Sequence, residues 1–320
     1  MRPLRLLTGL VSPGADKGKL LTFFFHRVLD KPDSMLPGEM DARRFDMVLT
    51  WIGQQFKVLS PLQACERLKA GTLPARGAII SFDDGYRDNH DVALPILRRH
   101  KMQAVFFVAT GYLGDGVQFN DRLTEAFRDL QGGALDAAWL GLGTLPVGAL
   151  EDRLRSLERV REAAKYLDPE ARWRCVERIE AACGVAARGL QRGRVMMTPQ
   201  EVAALAANGM EIGGHTVSHP ILQSVDDPTA YHEIASGRDA LTAILGRAPL
   251  LFSYPNGKPT TDFAPRHAEM ARRAGFRFAF TTQRGVATPE TDPMLLPRFM
   301  PWHADELRFK LQALRVTAQR

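Results

Sequence analysis

The stretch Ile79-Ile80-Ser81-Phe82-Asp83-Asp84-Gly85-Tyr86 joins a short apolar run to two adjacent carboxylates and a glycine. The apolar run predicts a buried strand, and the glycine allows a sharp turn directly after the acidic pair. In parallel α/β folds, active sites lie at the carboxyl ends of strands. Neighbouring strand residues point to opposite faces, so one aspartate could bind a metal while the other faces substrate or water. A helix cap or an Asp-Gly turn is the alternative interpretation.

Further short apolar runs alternate with segments of helical periodicity on both sides of this stretch. The runs that resemble buried strands are 20–25, 78–82, 104–109, 210–213, 250–254 and 278–281. The helical segments are 42–55, 62–70, 91–100, 199–208, 231–245 and 264–274. Strands that alternate with helices form a parallel sheet, open or closed into a barrel, so the sequence predicts the α/β class.

One long segment, residues 114–194, interrupts this alternation. It contains no strand-like run, and within it residues 150–180 are charged, with apolar residues at helical spacing. We predict a helical insertion of approximately residues 114–194 on a loop of a single barrel domain that spans residues 1–320. The insertion could form a lid over a site or a helical pair that only packs against the barrel.

Composition limits the class of protein. A chain of 320 residues with 45% hydrophobic content can bury a full core, which excludes a disordered or fibrous protein. The net charge of +6 is spread without a run of five cations, which gives a weak bias toward anionic partners and no indication of nucleic-acid binding. The three cysteines lack CxxC spacing, so neither a disulfide framework nor a cysteine zinc site is expected.

The N-terminal residues start with a basic and apolar stretch that Thr8 and Gly9 interrupt. That stretch is too short for an export signal, and no run of ~18 apolar residues predicts a transmembrane helix. We therefore expect a cytoplasmic protein without a transmembrane segment, with peripheral association at the inner face of a membrane as a further option.

A second motif contains two histidines four residues apart, His215 and His219, just after a predicted strand. One helical turn would bring both imidazoles to the same side. Two imidazoles and one carboxylate are typical of a Zn²⁺ site that keeps a position open for water, although Co²⁺ or Ni²⁺ could replace zinc. Asp84, from a distant strand end, could supply the carboxylate. Without it, the two histidines could simply share a helix face.

A third strand-like run ends in Ser253-Tyr254-Pro255-Asn256-Gly257. This turn could present the backbone N–H of Asn256 to a developing oxyanion. Tyr254, beside it, is predicted to contact substrate. An ordinary strand and turn is the alternative interpretation.

Two of these motifs, residues 81–85 and 215–219, resemble the paired first and second motifs of the polysaccharide deacetylases, the family 4 carbohydrate esterases. The resemblance covers approximately residues 78–111 and 210–285. It implies a distorted (β/α)7 barrel in which Asp84, His215 and His219 hold a divalent metal and Asp83 is the general base. Residues 26–28, 119–121 and 253–257 further resemble a bacterial branch associated with exopolysaccharide production.

The chain departs from the family pattern in the third motif, at two positions, and in the motif of the general acid. The third motif of the family carries an arginine two residues before its proline, where this chain has Ser253, and a tyrosine after it, where this chain has Asn256. Arg298 could supply the missing charge from a later strand, or it could form an ordinary salt bridge. The Leu-x-His motif of the general acid is also absent. His26 is favoured over His303 because strand-end residues of a barrel converge on one face, although a structural His26 remains the alternative.

Asn120 and Asp121 lie at the entrance of the insertion. We expect one of them to approach the metal site or a sugar hydroxyl. The alternative is that Asp121 caps a helix over residues 122–130.

These observations predict a zinc-dependent hydrolase that removes N-acetyl groups from a polysaccharide or a lipid-linked oligosaccharide. A catalytically impaired carbohydrate-binding or scaffolding protein on the same fold is an alternative, prompted by Ser253 and the missing acid motif. A metal-dependent amidase acting on a non-sugar C–N bond is another. Asp83 binds no metal in the proposed scheme, so its presence favours the enzyme. Loops and the insertion would determine the substrate.

Overall fold

The computed structural model describes residues 2–128, 130, 132–184, 193–301, 303 and 305–319. The chain divides into two compact units. The first, here called the barrel unit, comprises residues 1–31, 38–114 and 196–320. The second, the insertion unit, comprises residues 32–37 and 115–195.

The strands of the described chain range from two to seven residues in length. They are β1 (Leu21–Phe25), β2 (Val28–Leu29), β3 (Met40–Asp41), β4 (Lys57–Val58), β5 (Gly77–Phe82), β6 (Val105–Val108), β7 (Ala134–Asp136), β8 (Thr144–Pro146), β9 (Glu211–Gly214), β10 (Leu251–Ser253), β11 (Phe278–Arg284) and β12 (Leu296–Arg298).

The α-helices follow the strands in most places along the chain. They are α1 (Arg2–Val11), α2 (Ala42–Gln55), α3 (Pro61–Lys69), α4 (Leu94–Arg99), α5 (Phe119–Arg128), α6 (Leu150–Lys165), α7 (Pro169–Ala182), α8 (Pro199–Ala207), α9 (Asp227–Leu245), α10 (Pro265–Arg273) and α11 (Glu306–Ala318). A π-helical turn, Asn89–Ala93, leads into α4.

The barrel unit is built on parallel strands in the order β1-β5-β6-β9-β10-β11-β12, with β4 paired to the start of β5. Phe299, directly after β12, hydrogen bonds back to β1. Its N–H donates to the Thr22 carbonyl at 2.7 Å, and its carbonyl accepts from the Phe24 N–H at 3.1 Å. These seven strands therefore form a nearly closed barrel, which confirms the predicted distorted (β/α)7 fold.

Alternate strand residues face opposite sides of the barrel wall. Ile79 of β5 and Phe107 of β6 share a buried cluster with residues from β10, β11 and β12, so these side chains fill the barrel interior. Their neighbours Phe82 and Phe106 stack at 4.7 Å in a second cluster with side chains of α2 and α11. By this alternation, Ser81 and then Asp83 follow Ile79 on the inner side of the wall.

Each predicted strand run begins within one residue of an observed strand, and α2 has the predicted bounds. Four strands of the barrel unit were not predicted: the two-residue pair β2 and β3, which lies outside the barrel sheet, and β4 and β12 within that sheet. β4 has two residues, and β12 has three with a proline at its centre, so neither offers a periodic pattern. α9 begins four residues before its predicted start, because Asp226 accepts a hydrogen bond from the Thr229 N–H as an N-cap.

The insertion unit contains α5, α6 and α7, which agrees with the helical pattern of residues 150–180. The prediction that this segment lacks strands was wrong, because β7 and β8 form an antiparallel hairpin. The unit has a core of its own, in which Leu123 and Phe127 of α5 are buried with Val160 of α6 and Val176 of α7. The described part of residues 114–194 therefore holds a packed core and not isolated surface helices.

No helix in the described ranges is long and apolar enough to cross a membrane. Cys65, Cys175 and Cys183 are buried and free, as their number and spacing predicted. Burial, with a contribution from nearby Glu180, raises the pKa of the Cys183 thiol to about 12. At neutral pH this thiol is therefore protonated and unreactive.

Candidate active site

The two aspartates lie where β5 ends at the carboxyl edge of the barrel. The Asp83 N–H still donates to the Phe25 carbonyl at 3.0 Å, which continues the pairing with β1. The chain then turns: Asp84 has a φ of 78° and Gly85 a φ of 93°. A left-handed conformation is unusual for a residue with a side chain, and strain of this kind is common at functional sites. The turn separates the two carboxylates and directs them to different partners.

Asp84 meets both histidines of the second motif. Its Oδ1 atom lies 3.5 Å from Nε2 of His215 and 3.4 Å from Nε2 of His219. Ligand atoms at ~2.0–2.1 Å from one tetrahedral ion are about 3.3–3.4 Å apart, so this spacing fits a shared zinc ion. All three residues are buried or nearly so. The structure thus brings together the three predicted metal ligands, and their donor set suits zinc.

The predicted helical turn between the two histidines is not present, because β9 ends at Gly214 and an irregular loop follows. Thr216 has a φ of 67° and His219 a φ of 54°, so two non-glycine residues of this loop are left-handed. The Thr216 hydroxyl accepts a hydrogen bond from the His219 N–H at 3.1 Å. The imidazoles converge through this tight loop and not through helical periodicity.

The orientation of the His215 ring is fixed by the neighbouring strand. Its Nδ1 atom donates to the Ser253 carbonyl at the end of β10, at 2.7 Å. Nε2, which faces Asp84, is therefore the ring nitrogen that could bind a metal once it carries no proton, which is the usual arrangement of histidine ligands. The hydrogen bond to Asp84 and the charges of both aspartates outweigh the effect of burial and raise the pKa of His215.

Glu233 of α9 supports the loop from the opposite side. Its Oε2 atom accepts hydrogen bonds from the N–H groups of Val217 at 2.9 Å and Ser218 at 2.8 Å, and its Oε1 atom accepts from the Ser218 hydroxyl at 2.7 Å. One turn along α9, Gly237 lets the helix approach closely, since a Cβ there would lie 2.9 Å from the Thr216 carbonyl. Sequence analysis missed both residues, because a carboxylate and a glycine inside a helical segment carry no motif.

Asp83 pairs with Arg298 inside the end of the barrel. Arg298 donates from Nη1 to Oδ1 and from Nη2 to Oδ2 of Asp83, both at 2.7 Å. Its Nε donates to the Thr281 carbonyl, and Nη2 also donates to the Ser253 hydroxyl, both at 2.9 Å. Arg298 has no exposed surface, so this is a buried bidentate pair and not a salt bridge at the barrel rim.

Both aspartates are held in the charged form. Burial by itself would raise the pKa of Asp83, but the charges of Arg298 and His215 outweigh it, and the pKa lies below its ordinary value. Burial likewise opposes ionisation of Asp84, whereas His215, His219 and His26 together lower its pKa strongly. The two carboxylates are thus available as a proton acceptor and a metal ligand.

His26 is half-buried and directly follows β1, whose last residue Phe25 pairs with Phe82, so it lies across from Asp83 at the carboxyl edge of the barrel. Asn256 is left-handed, with a φ of 58°, and its carbonyl accepts from the Thr282 hydroxyl at 2.6 Å. Within the described ranges its N–H has no acceptor. The His26 imidazole as general acid and the Asn256 N–H as oxyanion donor therefore stay predictions.

Tyr254 does not fit its predicted role. Its side chain has no exposed surface, its ring stacks on Phe263 at 3.8 Å, and its hydroxyl donates to the Met294 carbonyl at 3.1 Å. No part of this side chain can contact a substrate, so the prediction of substrate binding by Tyr254 was wrong. The position at a strand end suggested exposure to substrate, but the ring packs into a buried cluster with side chains of α10.

Asn120 and Asp121 belong to the insertion unit. The Asn120 carbonyl accepts from the Thr124 hydroxyl at 2.6 Å within α5. Because α5 begins at Phe119, Asp121 lies inside its first turn and does not cap a helix that starts at Arg122, so that alternative was wrong. An approach of either residue to the metal ligands stays a prediction.

The sequence profile of the polysaccharide deacetylase family matches residues 70–132 and 174–279, more than half of the chain. The chain belongs to the polysaccharide deacetylase family. The matched residues include Asp83, Asp84 and both histidines of the metal group, whereas His26 and Arg298 lie outside them. The family match therefore covers the metal group but leaves two of the residues around it to be argued from the structure.

Individual deacetylases resemble the chain in sequence or in fold. One relative is YxkH of Bacillus subtilis (strain 168), whose name describes it as a polysaccharide deacetylase. It is 27% identical over 109 residues, which are 33% of this chain and 36% of that protein. The chain thus matches only about a third of the length of this relative.

Two solved structures have the same fold over most of their length. Streptococcus pyogenes deacetylase PplD, in complex with acetate, has a TM-score of 0.61 at 17% identity. The match covers 93% of this chain and 99% of the PplD chain. IcaB from Ammonifex degensii has a TM-score of 0.58 at 18% identity, and the match covers 94% of this chain and 98% of the IcaB chain. At these identities the likeness is one of fold.

Proposed function

We propose that this polysaccharide deacetylase family member is a metal-dependent hydrolase that removes N-acetyl groups from a polysaccharide or a lipid-linked oligosaccharide. The observation that carries the proposal is the pair of neighbouring carboxylates with separate partners. Asp84 meets two imidazoles at the spacing of zinc ligands, while Asp83 is ionised against Arg298. One carboxylate is thus suited to hold a metal and the other to take a proton.

Asp84, His215 and His219 would hold the ion, with zinc as our choice. When bound, zinc supplies Lewis acidity, which polarises an acetamide carbonyl and lowers the pKa of a water molecule. Asp83 is the proposed general base that accepts the proton of the attacking water. Arg298 orients the Asp83 carboxylate through two hydrogen bonds and keeps it charged.

Two further groups complete the proposed reaction. The Asn256 N–H would donate a hydrogen bond to the oxyanion that develops on the acetyl carbonyl. The leaving amine needs a proton, and His26 is our candidate for the general acid because it follows β1 next to the end of β5, where both aspartates lie. Asn120 or Asp121 would contact a sugar hydroxyl from the insertion unit.

The Asp83–Arg298 pair also bears on the alternative of an impaired, carbohydrate-binding protein. That alternative arose partly because Ser253 replaces the arginine of the third motif. Arg298 supplies a positive charge to Asp83 from β12, and the Ser253 hydroxyl accepts a hydrogen bond from the same guanidinium. This geometry supports an active enzyme over a scaffold.

The finer assignments of substrate and location are also proposals. Residues 26–28, 119–121 and 253–257, which resemble an exopolysaccharide-associated bacterial branch, support an exopolysaccharide as the substrate class. We place the protein in the cytoplasm, where the inner face of the membrane would offer lipid-linked glycans. We propose no nucleic-acid partner, because the cations of the sequence form no run.

Acetate release from a panel of N-acetylated glycans, with and without a chelator, tests the proposal. We expect release from at least one glycan, loss of that release with the chelator, and recovery when zinc is added. Release from no glycan would favour the binding protein. Release only from a non-sugar acetamide would favour the amidase.

A further inference from the structure

An exposed apolar surface lies on α1 and α11, two neighbouring helices of the barrel unit. Neither helix contains a proposed metal ligand. Leu6, Leu7 and Leu10 of α1 are 71%, 46% and 76% exposed, and Leu307 and Leu311 of α11 are 57% and 45% exposed. Scattered exposed leucines are ordinary, but these repeat at helical spacing on adjacent elements. We call these five residues the leucine face.

The two helices turn their buried sides toward the same group. Gln55, at the end of α2, donates from its side-chain amide to the Thr8 hydroxyl of α1 at 2.9 Å and to the Lys310 carbonyl of α11 at 3.0 Å. Thr8 is fully buried, as is Phe309 beside Lys310. Because α1 and α11 share this inward contact, the leucines on their opposite sides face outward together.

Cations without partners accompany the leucine face. Arg5 on α1 and Arg308 and Arg315 on α11 are exposed and form no ion pair with any residue that the structure describes. α1 contains no acidic residue, and the acidic residue within α11, Glu306, pairs with Lys310 at 2.6 Å. Asp305, the exposed N-cap residue of α11, is a further carboxylate here, so with three arginines against it the surface combines leucines with a net positive charge.

We propose that the leucine face binds the surface of an anionic phospholipid bilayer. Helices with leucines on one side and arginines beside them lie in the headgroup region, where leucines enter the acyl boundary and cations attract anionic lipids. A second copy of the chain is a poorer occupant, since a twofold interface would bring the same unpaired arginines together. This inference concerns a surface outside the candidate active site and goes beyond the proposed chemistry.

Flotation of the full chain with lipid vesicles tests the inference. Vesicles of phosphatidylcholine alone are compared with vesicles that also contain phosphatidylglycerol, at low and high salt. We expect binding only to the anionic vesicles and weaker binding at high salt. L6S/L10S and R308E/R315E should each reduce the bound fraction about 10-fold or more, because each removes one of the two contributions. L150S, at a leucine 39% exposed in the insertion unit, is the matched control and should bind normally.

Equal binding of the wild type to neutral and anionic vesicles, or no binding, would overturn the inference. Undiminished binding by L6S/L10S would also overturn it, as would a wild-type dimer that this variant converts to a monomer without any vesicle binding. Acetate release from a soluble glycan is measured in parallel and should be unchanged in L6S/L10S. If vesicle binding fails while acetate release persists, the surface assignment is wrong and the enzyme assignment stands.

Discussion

Asp83 stays ionised inside the barrel because Arg298 offers it two hydrogen bonds and a full positive charge. Breaking a buried pair of this kind costs more than the pair contributes, since the remaining charge has no water to solvate it. Asp83 is 3% exposed and Arg298 is 0% exposed. The pair therefore links the stability of this end of the barrel to the ionisation of Asp83, the proposed base.

Replacing the base without changing its size separates chemistry from metal binding. In D83N the side chain cannot accept a proton from water, so we expect acetate release to fall by a factor of ~10² to 10⁴. Metal content by elemental analysis should stay near that of the wild type, because Asp84, His215 and His219 are intact. Loss of metal from D83N would mean that the roles of the two aspartates are reversed.

Removing the arginine should destabilise the fold. R298M leaves the Asp83 carboxylate buried and unpaired, so we expect the free energy of unfolding to drop by about 3–5 kcal/mol and the pKa of Asp83 to rise. Urea denaturation measures the first effect. R98M is the matched control, because Arg98 is exposed on α4 and its replacement should change stability by about 0.5 kcal/mol or less. Similar stability of the two variants would contradict a buried, energetically coupled pair.

At the scale of elements, α9 supports the loop between His215 and His219, the two proposed histidine ligands. Thr216 and His219 are left-handed at φ values of 67° and 54°, and each such residue costs ~1–3 kcal/mol unless its surroundings enforce it. Glu233 meets this loop with three hydrogen bonds, and its charge strengthens them. The helix thus offsets the strain that brings the imidazoles together.

Shortening Glu233 should loosen the metal group. In E233A two backbone N–H groups lose their acceptor, so we expect metal affinity to fall about 10- to 100-fold, in a titration that follows bound zinc. E233Q keeps an amide oxygen for both N–H groups and should lose much less. S218A, which removes only the hydroxyl donor, is the control for general damage to the loop. Wild-type affinity in E233A would show that the loop holds its shape unaided.

Most barrel strands and the group of three proposed metal ligands could be predicted because their signals are local. Asp84 directly follows an apolar run, and His215 and His219 are close in sequence. β12 could not be predicted, because three residues with a central proline show no period. The hairpin in the insertion unit was missed for the same reason, since each of its strands has three residues.

Contacts that depend on the closed barrel were harder to predict. Arg298 is 215 residues from Asp83 in the sequence, and only the register of β12 against β11 and β1 brings it to β5. The buried position of Tyr254 depends on α10, which packs beneath it. Such contacts arise from tertiary packing and carry no periodic or motif signal.

At the scale of the whole molecule, the larger segment of the insertion unit, residues 115–195, leaves and re-enters the barrel unit at neighbouring points. The Gly114 N–H donates to the Met197 carbonyl at 2.8 Å, so the chain ends that flank the insertion meet within the barrel unit. A cut inside the insertion, at residues 135–191, would expose the buried face of α5, because Leu123 and Phe127 belong to the core of α6 and α7. The better deletion replaces residues 115–195 with a short Gly-Ser linker.

We predict that this trimmed protein folds and binds metal but loses its preference for longer glycans over a small acetylated ester. Loops at the carboxyl edge of a barrel generally shape the substrate site, and the insertion follows β6 at that edge. Acetate release from both substrates measures the preference. If the trimmed protein keeps the preference for longer glycans, the insertion unit does not select the substrate, and its role would be packing or contact with a partner.

The central claim is that one ion held by Asp84, His215 and His219 is required for deacetylation. The most direct test adds zinc stepwise to chelator-treated protein while acetate release from an N-acetylated glycan is recorded. We predict that activity rises and saturates at about one ion per chain, as expected for three ligands at one tetrahedral centre, and that H219A does not recover. Activity that is independent of added zinc, or full recovery of H219A, would contradict the account.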